Sequence, residues 1–391
     1  MKLLKRTWAD VSLDNLSHNY RLLRDRVPAD CRFLGVVKAD AYGHGALPIS
    51  RRLRELGADY LAVSNMEEAV QLRRGGIRLP ILMLGYTPAF YAEDMADMGI
   101  RQEIHSMEYA VQLNHAMEGT GKRLICHIKL DTGMSRLGFF AYDDEKTLEQ
   151  LRLISRLDNL LLEGIFTHFP SADTTDPEDT AFTALQFARF TSMIDALADC
   201  GIHFKLRHCC NSGATLLHPE YALDMIRPGI ATYGISPSEE LEGRYDLRPL
   251  MSLKTTISQI RPFKPDVAVS YGRSYTTPSE RNIAVLAIGY ADGLSRSLSN
   301  GVSFLLHGRR VPVVGRICMD MCMIDVTEVP DAKVGDVVTI FGSDMGQTIP
   351  VDELARAMNT IPYEILCDIN KRIPRIYLDG EQRLEILQYI V

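Results

Sequence analysis

Short apolar runs alternate with amphipathic stretches along the first two-thirds of the chain. In the stretch Thr183–Ala198, apolar residues recur at the spacing of a helix with one hydrophobic face. Strands that alternate with helices predict a parallel sheet, and eight such units are typical of a closed (β/α)8 barrel of the TIM type. The runs are Phe33–Lys38, Tyr60–Ser64, Ile81–Gly85, Gln102–His105, Leu124–Asp131, Leu162–His168, Phe204–Asn211 and Met225–Ile230. Because the fourth run is weak, a doubly wound sheet is the competing architecture.

The pattern changes after Pro237, where the polar and charged segment Ser236–Pro249 has the composition of a linker. Turn signals then separate short β-rich runs, which predicts a mostly antiparallel β domain with one helix at Val351–Met358. The runs are Leu253–Ile260, Val267–Ser270, Asn282–Ile288, Phe304–Leu306, Val311–Val314, Met321–Val326 and Val337–Ile340. Near the start of the chain, Ser12 has the chemistry of an N-cap for a helix over Leu13–Val27.

Length and composition agree with two folded domains. The chain has 391 residues, of which 46% are hydrophobic and 24% are charged. We predict a cofactor-binding barrel over residues 11–240 and a β domain over residues 241–391, to which residues 1–10 pair. The net charge of −7 argues against a nucleic-acid partner, because binding to phosphates along a nucleic acid needs a basic surface.

The expected cellular location of the protein and the expected redox state of its cysteines follow from two further features of the sequence. No apolar run reaches the roughly 18 residues of a membrane span, and no apolar core of a signal peptide follows the basic start, so we expect a cytoplasmic protein. The eight cysteines are expected to be reduced and mostly buried. The cluster His208, Cys209 and Cys210 lacks the paired spacing of a zinc site, and no metal is expected.

Reactive side chains follow several predicted strands, and the carboxyl ends of barrel strands are where this fold places its chemistry. Lys38 ends the first run. A lysine at the end of an apolar strand loses water, which lowers its pKa and favours attack on carbonyl carbons, although an ordinary surface lysine is the alternative. Ser212 and Gly213 follow the seventh run and Gly229 follows the eighth, where glycines and a helix N-terminus can bind a phosphate. An amine nucleophile combined with a phosphate site predicts pyridoxal phosphate as the cofactor.

Nine segments resemble the motifs of bacterial alanine racemases, in the same order along the chain. The segment VVKADAYGHG around Lys38 resembles the cofactor-lysine motif, which also occurs in other barrel-type pyridoxal enzymes. The others are KLDTGMSRLG, THFPSAD, NSGA, RPGIATYG, VSYGRSY, AIGYADG, GRICMDM and PYEILCDINKRIPR. The resemblance covers almost the whole chain, and the β-domain motifs make it specific. It implies a racemase that interconverts L-alanine and D-alanine through an imine with pyridoxal phosphate and supplies D-alanine for peptidoglycan.

The resemblance also implies the cofactor contacts. Lys38 would carry the pyridoxal aldehyde, and Arg227 would face the pyridine nitrogen. Because arginine does not release its proton, the ring would stay largely unprotonated, which disfavours side reactions such as transamination. His168 would lie near the ring, Arg136 would reach the phenolic oxygen, and Lys129 matches a position that is carbamylated in some family members. The residues expected to hold the phosphate are Tyr42, Ser212, Gly229, Ile230 and Tyr363.

Racemisation is simplest with one base on each face of the α-carbon. By resemblance, Lys38 serves one face and Tyr271 of the partner subunit serves the other, which implies a head-to-tail homodimer with two equal sites. A phenol has an ordinary pKa near 10, so Tyr271 needs nearby positive charge to act as a base. Arg136 and the backbone of Met319 would bind the substrate carboxylate. The residues expected along the substrate access path are Tyr290, Asp173, Arg296, Arg316 and Asp320.

Three related classes of protein are the alternatives. A pyridoxal-dependent decarboxylase of the same architecture would share Lys38, but it pairs the pyridine nitrogen with an acid and uses a catalytic cysteine, in contrast to Arg227 and Tyr271. A serine-preferring racemase typically has a membrane segment and lacks the tyrosine that matches Tyr363. A non-enzymatic cofactor carrier resembles the barrel alone and has no β domain.

Overall fold

The computed structural model describes residues 6–142 and 144–390. The chain forms two compact units, which we call the barrel unit and the sheet unit. The barrel unit comprises Leu16–Ala41 and Ala46–Arg248, and the sheet unit comprises Met1–Asn15, Tyr42–Gly45 and Pro249–Val391. The parts of the predicted β domain at residues 1–5 and 391 lie outside the described residues.

Strands and helices alternate in the first part of the described chain and strands dominate the last part. The strands are β1 (Thr7–Ser12), β2 (Arg32–Val36), β3 (Tyr60–Val63), β4 (Ile81–Met83), β5 (Ile100–Ile104), β6 (Leu124–Asp131), β7 (Phe139–Phe140), β8 (Leu160–Phe166), β9 (Leu206–His208), β10 (Met225–Ile226), β11 (Met251–Phe263), β12 (Ala268–Val269), β13 (Tyr275–Thr276), β14 (Arg281–Leu286), β15 (Ser303–Leu306), β16 (Arg309–Pro312), β17 (Cys322–Asp325), β18 (Val337–Asp344), β19 (Gln347–Ile349), β20 (Arg375–Asp379) and β21 (Gln382–Leu387). The right-handed α-helices are α1 (Leu13–Arg24), α2 (Ala46–Leu56), α3 (Met66–Arg74), α4 (Ala92–Asp97), α5 (Met107–Ala116), α6 (Asp144–Ile154), α7 (Pro177–Asp199), α8 (Ser212–Leu217), α9 (Val351–Met358) and α10 (Pro362–Asp368).

Eight strands of the barrel unit pair in parallel in the order β10-β2-β3-β4-β5-β6-β8-β9. The two ends of this order, β9 and β10, are joined by backbone hydrogen bonds from Asp224 N to Arg207 O (3.0 Å) and from Arg227 N to Cys210 O (2.9 Å). These bonds nearly close the ring. The predicted parallel barrel is therefore confirmed, and the doubly wound alternative is wrong.

The weakest predicted strand forms regularly as β5, and its buried polar residues explain the weak signal. Gln102 and Glu103 are buried between Ile100 and Ile104. The Gln102 side-chain amide donates to the carbonyls of Gly85 and Glu103, each at 2.9 Å. Burial of an amide N–H is tolerated when it has acceptors, so a polar residue can occupy a core strand.

Strands β9 and β10 end earlier than predicted, at His208 and Ile226 rather than at Asn211 and Ile230. The Asn211 side chain caps α8 by accepting from the Ala214 N–H, and Pro228 lacks the N–H that a strand ladder requires. The residues between these strand ends and the following turns are therefore free to form loops at the carboxyl ends of the barrel strands.

The sheet unit contains a ten-stranded sheet with the path β16-β15-β18-β11-β1-β20-β21; β14 joins β11, β17 joins β14 and β19 joins β18. The N-terminal strand β1 lies between β11 and β20, with Thr7 opposite Thr255 and Ala9 opposite Arg375. Only the β1–β20 pairing is parallel among the described strands of this sheet. The prediction of a mostly antiparallel sheet is confirmed.

Helix ends follow local sequence. Ser12 Oγ accepts from Asn15 N at 3.1 Å, which confirms the predicted N-cap. Helix α1 ends at Arg24 rather than at Val27. Pro28 disfavours helical backbone at Val27, which excludes the predicted end of the helix. Helix α9 has the predicted bounds, and α10 was not predicted. Across the described residues, no helix has both the length and the apolar character needed to cross a membrane.

Candidate active site

The turn that follows Lys38 has a left-handed backbone. Residues Ala39 to Tyr42 all have φ between 50° and 55°, a conformation that costs about 1–2 kcal/mol for each residue with a side chain. The Glu68 carboxylate stabilises the turn, because it accepts hydrogen bonds from the backbone N–H groups of Ala39 and Ser64, both at 2.7 Å. Lys38 is thereby held two residues beyond β2, at the carboxyl end of the first barrel strand.

Strands β9 and β10 lead into a corner built from Ser212, Gly229 and Ile230. The Ser212 hydroxyl accepts hydrogen bonds from Gly229 N at 2.9 Å and from Ala231 N at 3.2 Å. The corner therefore gathers a hydroxyl and backbone N–H groups at the carboxyl ends of two adjacent barrel strands. This is the donor set that suits a phosphate.

Arg227 is buried directly after β10, and its hydrogen bonds go to neutral groups. Its Nη1 donates to His208 Nδ1 at 2.9 Å, and its Nη2 donates to the carbonyls of Thr167 at 2.8 Å and Cys209 at 3.2 Å. Burial lowers the pKa of Arg227 to about 10, which still leaves it protonated at neutral pH. Arg227 is therefore a fixed cation.

Four cations act electrostatically on His168, and we call them the cation cluster: Lys38, Lys129, Arg136 and Arg227. Burial, and then the charges of these four residues, holds the pKa of His168 well below its usual value. His168 is therefore neutral at physiological pH, and this end of the barrel attracts anions.

Lys129 is a buried lysine of the cluster. Its Nζ lies 4.8 Å from the centroid of the Phe166 ring. Burial, followed by the charge of Arg227, lowers the pKa of Lys129 to about 7. A large fraction of Lys129 is consequently a neutral amine at physiological pH.

Arg136 and Asp173 lie in the loops that follow β6 and β8. Asp131 Oδ1 accepts from the backbone N–H groups of Gly133 at 2.9 Å and Ser135 at 3.1 Å, which folds the loop that exposes Arg136. Asp173 is half-buried, and this burial raises its pKa.

In the sheet unit, Tyr271 lies on a loop with an exposed fraction of 68%. Its neighbours Ser270 and Gly272 both have positive φ. The Ser270 hydroxyl donates to Arg316 O at 2.7 Å, and a Cβ on Gly272 would lie 3.2 Å from Arg316 Nη1. The structure therefore brings the Tyr271 loop together with Arg316 and presents the Tyr271 phenol to solvent.

Tyr290 and Met319 occupy two further loops that pair through their backbones. Tyr290 N donates to Cys318 O at 3.0 Å, and Ala291 N donates to Met319 O at 2.9 Å. A Cβ on Gly289 would overlap these carbonyls, so the close approach requires glycine. The exposed fractions of Tyr290 and Met319 are 43% and 54%.

The remaining residues of the sheet unit that were predicted to line the access path lie near these loops. Arg372 Nη2 donates to Asp320 Oδ1 at 2.8 Å. Arg296 is exposed on a 3-10 turn over Arg296–Leu298. The next residue, Ser299, accepts from Ile317 N at 3.0 Å, which ties this turn to the chain beside Arg316.

The two predicted phosphate-binding tyrosines of the sheet unit are in contact. The ring centroids of Tyr42 and Tyr363 are 5.9 Å apart in an edge-on arrangement. Burial, with a smaller contribution from Tyr363, raises the pKa of Tyr42. The Tyr42 phenol therefore keeps its proton and can act as a hydrogen-bond donor.

Sequence reasoning missed the residues that hold the predicted ones in place. Glu68 stabilises the left-handed turn, and Thr167 and His208 orient Arg227. The sequence indicates His208 only as part of a cysteine-rich cluster, in which Cys209 and Cys210 are buried and free. The available signal is a polar residue inside an apolar run, but the partner of that residue comes from a different strand.

Comparison with known proteins identifies the family. The profile for "Alanine racemase, N-terminal domain" matches residues 11–237, and the profile for the C-terminal domain matches residues 250–377. The alanine racemase of Desulfovibrio desulfuricans is 44% identical over 372 residues, which cover 95% of this chain and 98% of the relative. The structure of alanine racemase from Clostridium difficile is 38% identical with a TM-score of 0.94 and full coverage of both chains. That of the Bacillus anthracis enzyme with bound L-Ala-P is 34% identical with a TM-score of 0.92, covering 100% of this chain and 99% of the other. This chain belongs to the alanine racemase family.

Proposed function

We propose that this protein interconverts L-alanine and D-alanine with pyridoxal phosphate as cofactor and with Lys38 and the partner subunit's Tyr271 as the two catalytic bases. Racemisation of alanine is the activity of the family to which the chain belongs. The assignment of residues rests on one observation above all. Lys38 is held at a barrel strand end among cations that act together on His168.

The donor set fits the cofactor. Pyridoxal phosphate supplies an aldehyde that binds amines and a conjugated ring that withdraws electrons from the α-carbon. Lys38 offers the amine, and the corner at Ser212 offers donors for the phosphate. The residues that would hold the phosphate are Tyr42, Ser212, Gly229, Ile230 and Tyr363. His168 would lie beside the ring, and Arg136 would bind the phenolic oxygen.

Arg227 would donate a hydrogen bond to the ring nitrogen without releasing its proton. A pKa of about 10 keeps the guanidinium charged at neutral pH. A protein group that donates without protonating leaves the ring a moderate electron acceptor, which favours return of the proton to the α-carbon over transfer elsewhere.

The proton is removed on one face of the α-carbon and delivered on the other. The Lys38 amine would serve one face, and the Tyr271 phenol of the partner subunit the other. A phenol works as a base near neutral pH only beside positive charge, which the cation cluster of the facing barrel would supply. Arg136 and the backbone of Met319 would bind the substrate carboxylate.

A head-to-tail homodimer with two shared sites follows from this assignment. The exposure of Tyr271, Tyr290 and Met319 supports it, because large apolar side chains grouped on a surface favour a protein interface. The access path to each site would be lined by Tyr290, Asp173, Arg296, Arg316 and Asp320. We assign the D-alanine product to peptidoglycan synthesis, as expected for the family.

Lys129 has the properties of a carbamylated lysine. Carbamate formation joins the neutral amine nitrogen to the carbon of carbon dioxide and releases one proton. A pKa of about 7 makes that neutral amine abundant. The carbamate would also replace a buried cation with an anion beside Arg136 and Arg227.

The direct test is incubation of cofactor-loaded protein with pure L-alanine in heavy water. Decay of the ellipticity to zero, with deuterated alanine of both hands recovered, is the expected result. Steady ellipticity with intact alanine would contradict the substrate assignment, and serine would be tested next. Release of carbon dioxide would instead indicate decarboxylation.

A further inference from the structure

A chain of five polar side chains runs through the interior of the barrel unit. Arg101 Nε donates to Glu163 Oε2 at 3.1 Å, and His127 Nε2 lies 3.4 Å from the same oxygen. His127 Nδ1 lies 2.9 Å from His208 Nε2, and His208 Nδ1 lies 2.9 Å from Arg227 Nη1. We call these residues the relay.

The relay uses one residue from each of four barrel strands and one residue that directly follows a fifth strand. Arg101 lies in β5, His127 in β6, Glu163 in β8 and His208 in β9, while Arg227 follows β10. Both imidazoles are fully buried. A barrel interior is usually filled with branched apolar side chains, and burial of polar groups costs free energy unless each is hydrogen-bonded.

The barrel is shaped around the two imidazoles. A Cβ on Gly164 would lie 2.6 Å from His127 Cε1, so this glycine leaves the space that the ring occupies. The β6–β8 register shifts between Cys126 and His127. The Phe166 ring stacks on His208 with centroids 4.9 Å apart and an interplanar angle of 3°. These three features fix the ring planes independently of the hydrogen bonds.

Arg227 at one end and Glu163 at the other together give the hydrogen bonds of the relay one direction. Arginine has no acceptor, so His208 Nδ1 must accept from Arg227, which places the proton of His208 on Nε2. His127 Nδ1 must then accept from His208, which places the His127 proton on Nε2, facing the Glu163 carboxylate. Each donor thus meets one acceptor, and protonation of either ring would set two donors against each other.

Charges along the relay agree with this direction. Burial, and then the charge of Arg227, holds the pKa of His208 well below its usual value, and burial lowers the pKa of His127. Burial works in the opposite direction at Glu163, but the hydrogen bond from His127 and the charge of Arg101 outweigh it and lower the pKa of Glu163 to about 2. Both rings are therefore neutral and Glu163 is ionised.

We propose that Glu163 is a positioning residue, which acts through His127 and His208 to fix the orientation of Arg227 and, through Arg227, the hydrogen bond to the cofactor ring nitrogen. The proposal rests on the proposed function only for the last of these contacts. Loss of the acceptor at Glu163 leaves the Nε2 proton of His127 without a partner, which weakens the preference for one direction. His208 Nδ1 then ceases to be a constant acceptor for Arg227.

Three variants separate the effect of the hydrogen-bond direction in the relay from the effect of the charge on Glu163. Glu163→Gln keeps an oxygen that accepts from His127 but removes the charge, whereas Glu163→Leu removes both. Glu149→Leu, at an exposed position on α6, is the matched control. Nitrogen-15 NMR of the histidine side chains gives the tautomers in the cofactor-free protein, with assignments from His127→Gln and His208→Gln.

Both rings are expected to carry their proton on Nε2 in the wild type and in Glu163→Gln, with an Nδ1–H form becoming measurable in Glu163→Leu. Pyridoxal phosphate should bind about tenfold more weakly to Glu163→Leu, the size of one hydrogen bond to a charged group, and almost normally to Glu163→Gln. An Nδ1 proton on either ring of the wild type would overturn the proposal, as would equal cofactor affinities in all variants or equal weakening in both Glu163 variants.

The same measurements still decide the proposal in two further situations. If Glu163→Leu does not fold, the wild-type tautomers and the affinity of Glu163→Gln still decide whether the relay has the stated direction. Wild-type protein that leaves alanine unchanged would contradict the proposed function, while tautomers measured without cofactor would still support or overturn the relay.

Discussion

The barrel unit and the sheet unit hold their candidate site residues in opposite ways. In the barrel unit, Arg227 and Lys129 are buried, and their pKa values are lowered by that burial. In the sheet unit, Tyr271 and Met319 are exposed on loops that are held mainly through backbone contacts. Burial tunes charge within one chain, whereas an exposed side chain on a fixed loop is available to another surface. This contrast is in line with the proposed function, in which the barrel unit sets the electrostatics of the site and the sheet unit contributes Tyr271 to the site of a second copy.

The largest expected effect comes from a substitution in the barrel unit. Under the proposed assignment, Lys38→Ala removes both the amine for the cofactor aldehyde and one base, so activity should fall by at least about 10⁴-fold. The visible absorbance of the bound cofactor should disappear, as measured by spectrophotometry. Lys122→Ala, at an exposed ion pair, is the control and should behave as wild type. Retained absorbance with full activity would remove Lys38 from the assignment.

Tyr271→Phe tests the role of the exposed tyrosine of the sheet unit. Loss of the phenol should reduce racemisation by about 10²–10⁴-fold, while the cofactor absorbance persists. Deuterium uptake from heavy water should be blocked much more when the reaction starts from one enantiomer than from the other. Tyr275→Phe, in the neighbouring strand β13, is the matched control. Equal and small losses in both directions would show that Tyr271 is not a base.

Mixing Lys38→Ala with Tyr271→Phe tests whether the barrel unit of one subunit and the sheet unit of the other form one active site. In a head-to-tail dimer of Lys38→Ala with Tyr271→Phe, one site carries both lesions and the other carries neither. After subunit exchange, the mixture should recover about a quarter of wild-type activity, because half of the dimers are mixed and half of their sites are intact. Activity assays after mixing at several ratios measure this. No recovery despite proven exchange would contradict the shared site.

A smaller effect is expected when the buried charge of Lys129 is removed. Its pKa falls from 10.5 to about 7 on folding, so the unfolded chain binds more protons between these values and stability rises with pH across that window. In cofactor-free protein without carbon dioxide, Lys129→Met should therefore raise the melting temperature by about 5 °C at pH 6 and by less at pH 10. A change in melting temperature that does not depend on pH would argue against a lowered pKa of Lys129. Mass spectrometry of the wild type at raised carbon dioxide would detect the carbamate.

The smallest effect is expected at an exposed ion pair of the sheet unit. Asp320→Asn removes the charge that pairs with Arg372 at 2.8 Å, where both side chains are partly exposed to solvent. The free energy of unfolding should change by less than about 1 kcal/mol. Denaturant titration measures this change, and the KM for alanine tests the proposed place of Asp320 on the access path. A stability loss several times larger would mean that the pair is part of a cooperative network.

Local sequence was sufficient for the barrel strands and for many chemically important positions. Alternating apolar runs and helical periodicity predicted the eight parallel strands, because both patterns report which face of an element is buried. The order of motifs around Lys38, Arg227 and Tyr271 was sufficient to indicate the family. These features are encoded in a few consecutive residues, so they can be read without knowledge of the fold.

Tertiary structure alone decided which of these residues meet and what their charges become. The pKa of Lys129 depends on burial and on Arg227, which lies 98 residues away along the chain. The relay joins His127 to Glu163 and His208 across three strands, and the left-handed turn after Lys38 depends on Glu68 from α3. Sequence determined the elements and the reactive side chains, whereas distance and polarity, which set hydrogen bonding and charge, arise only when separate strands are brought together.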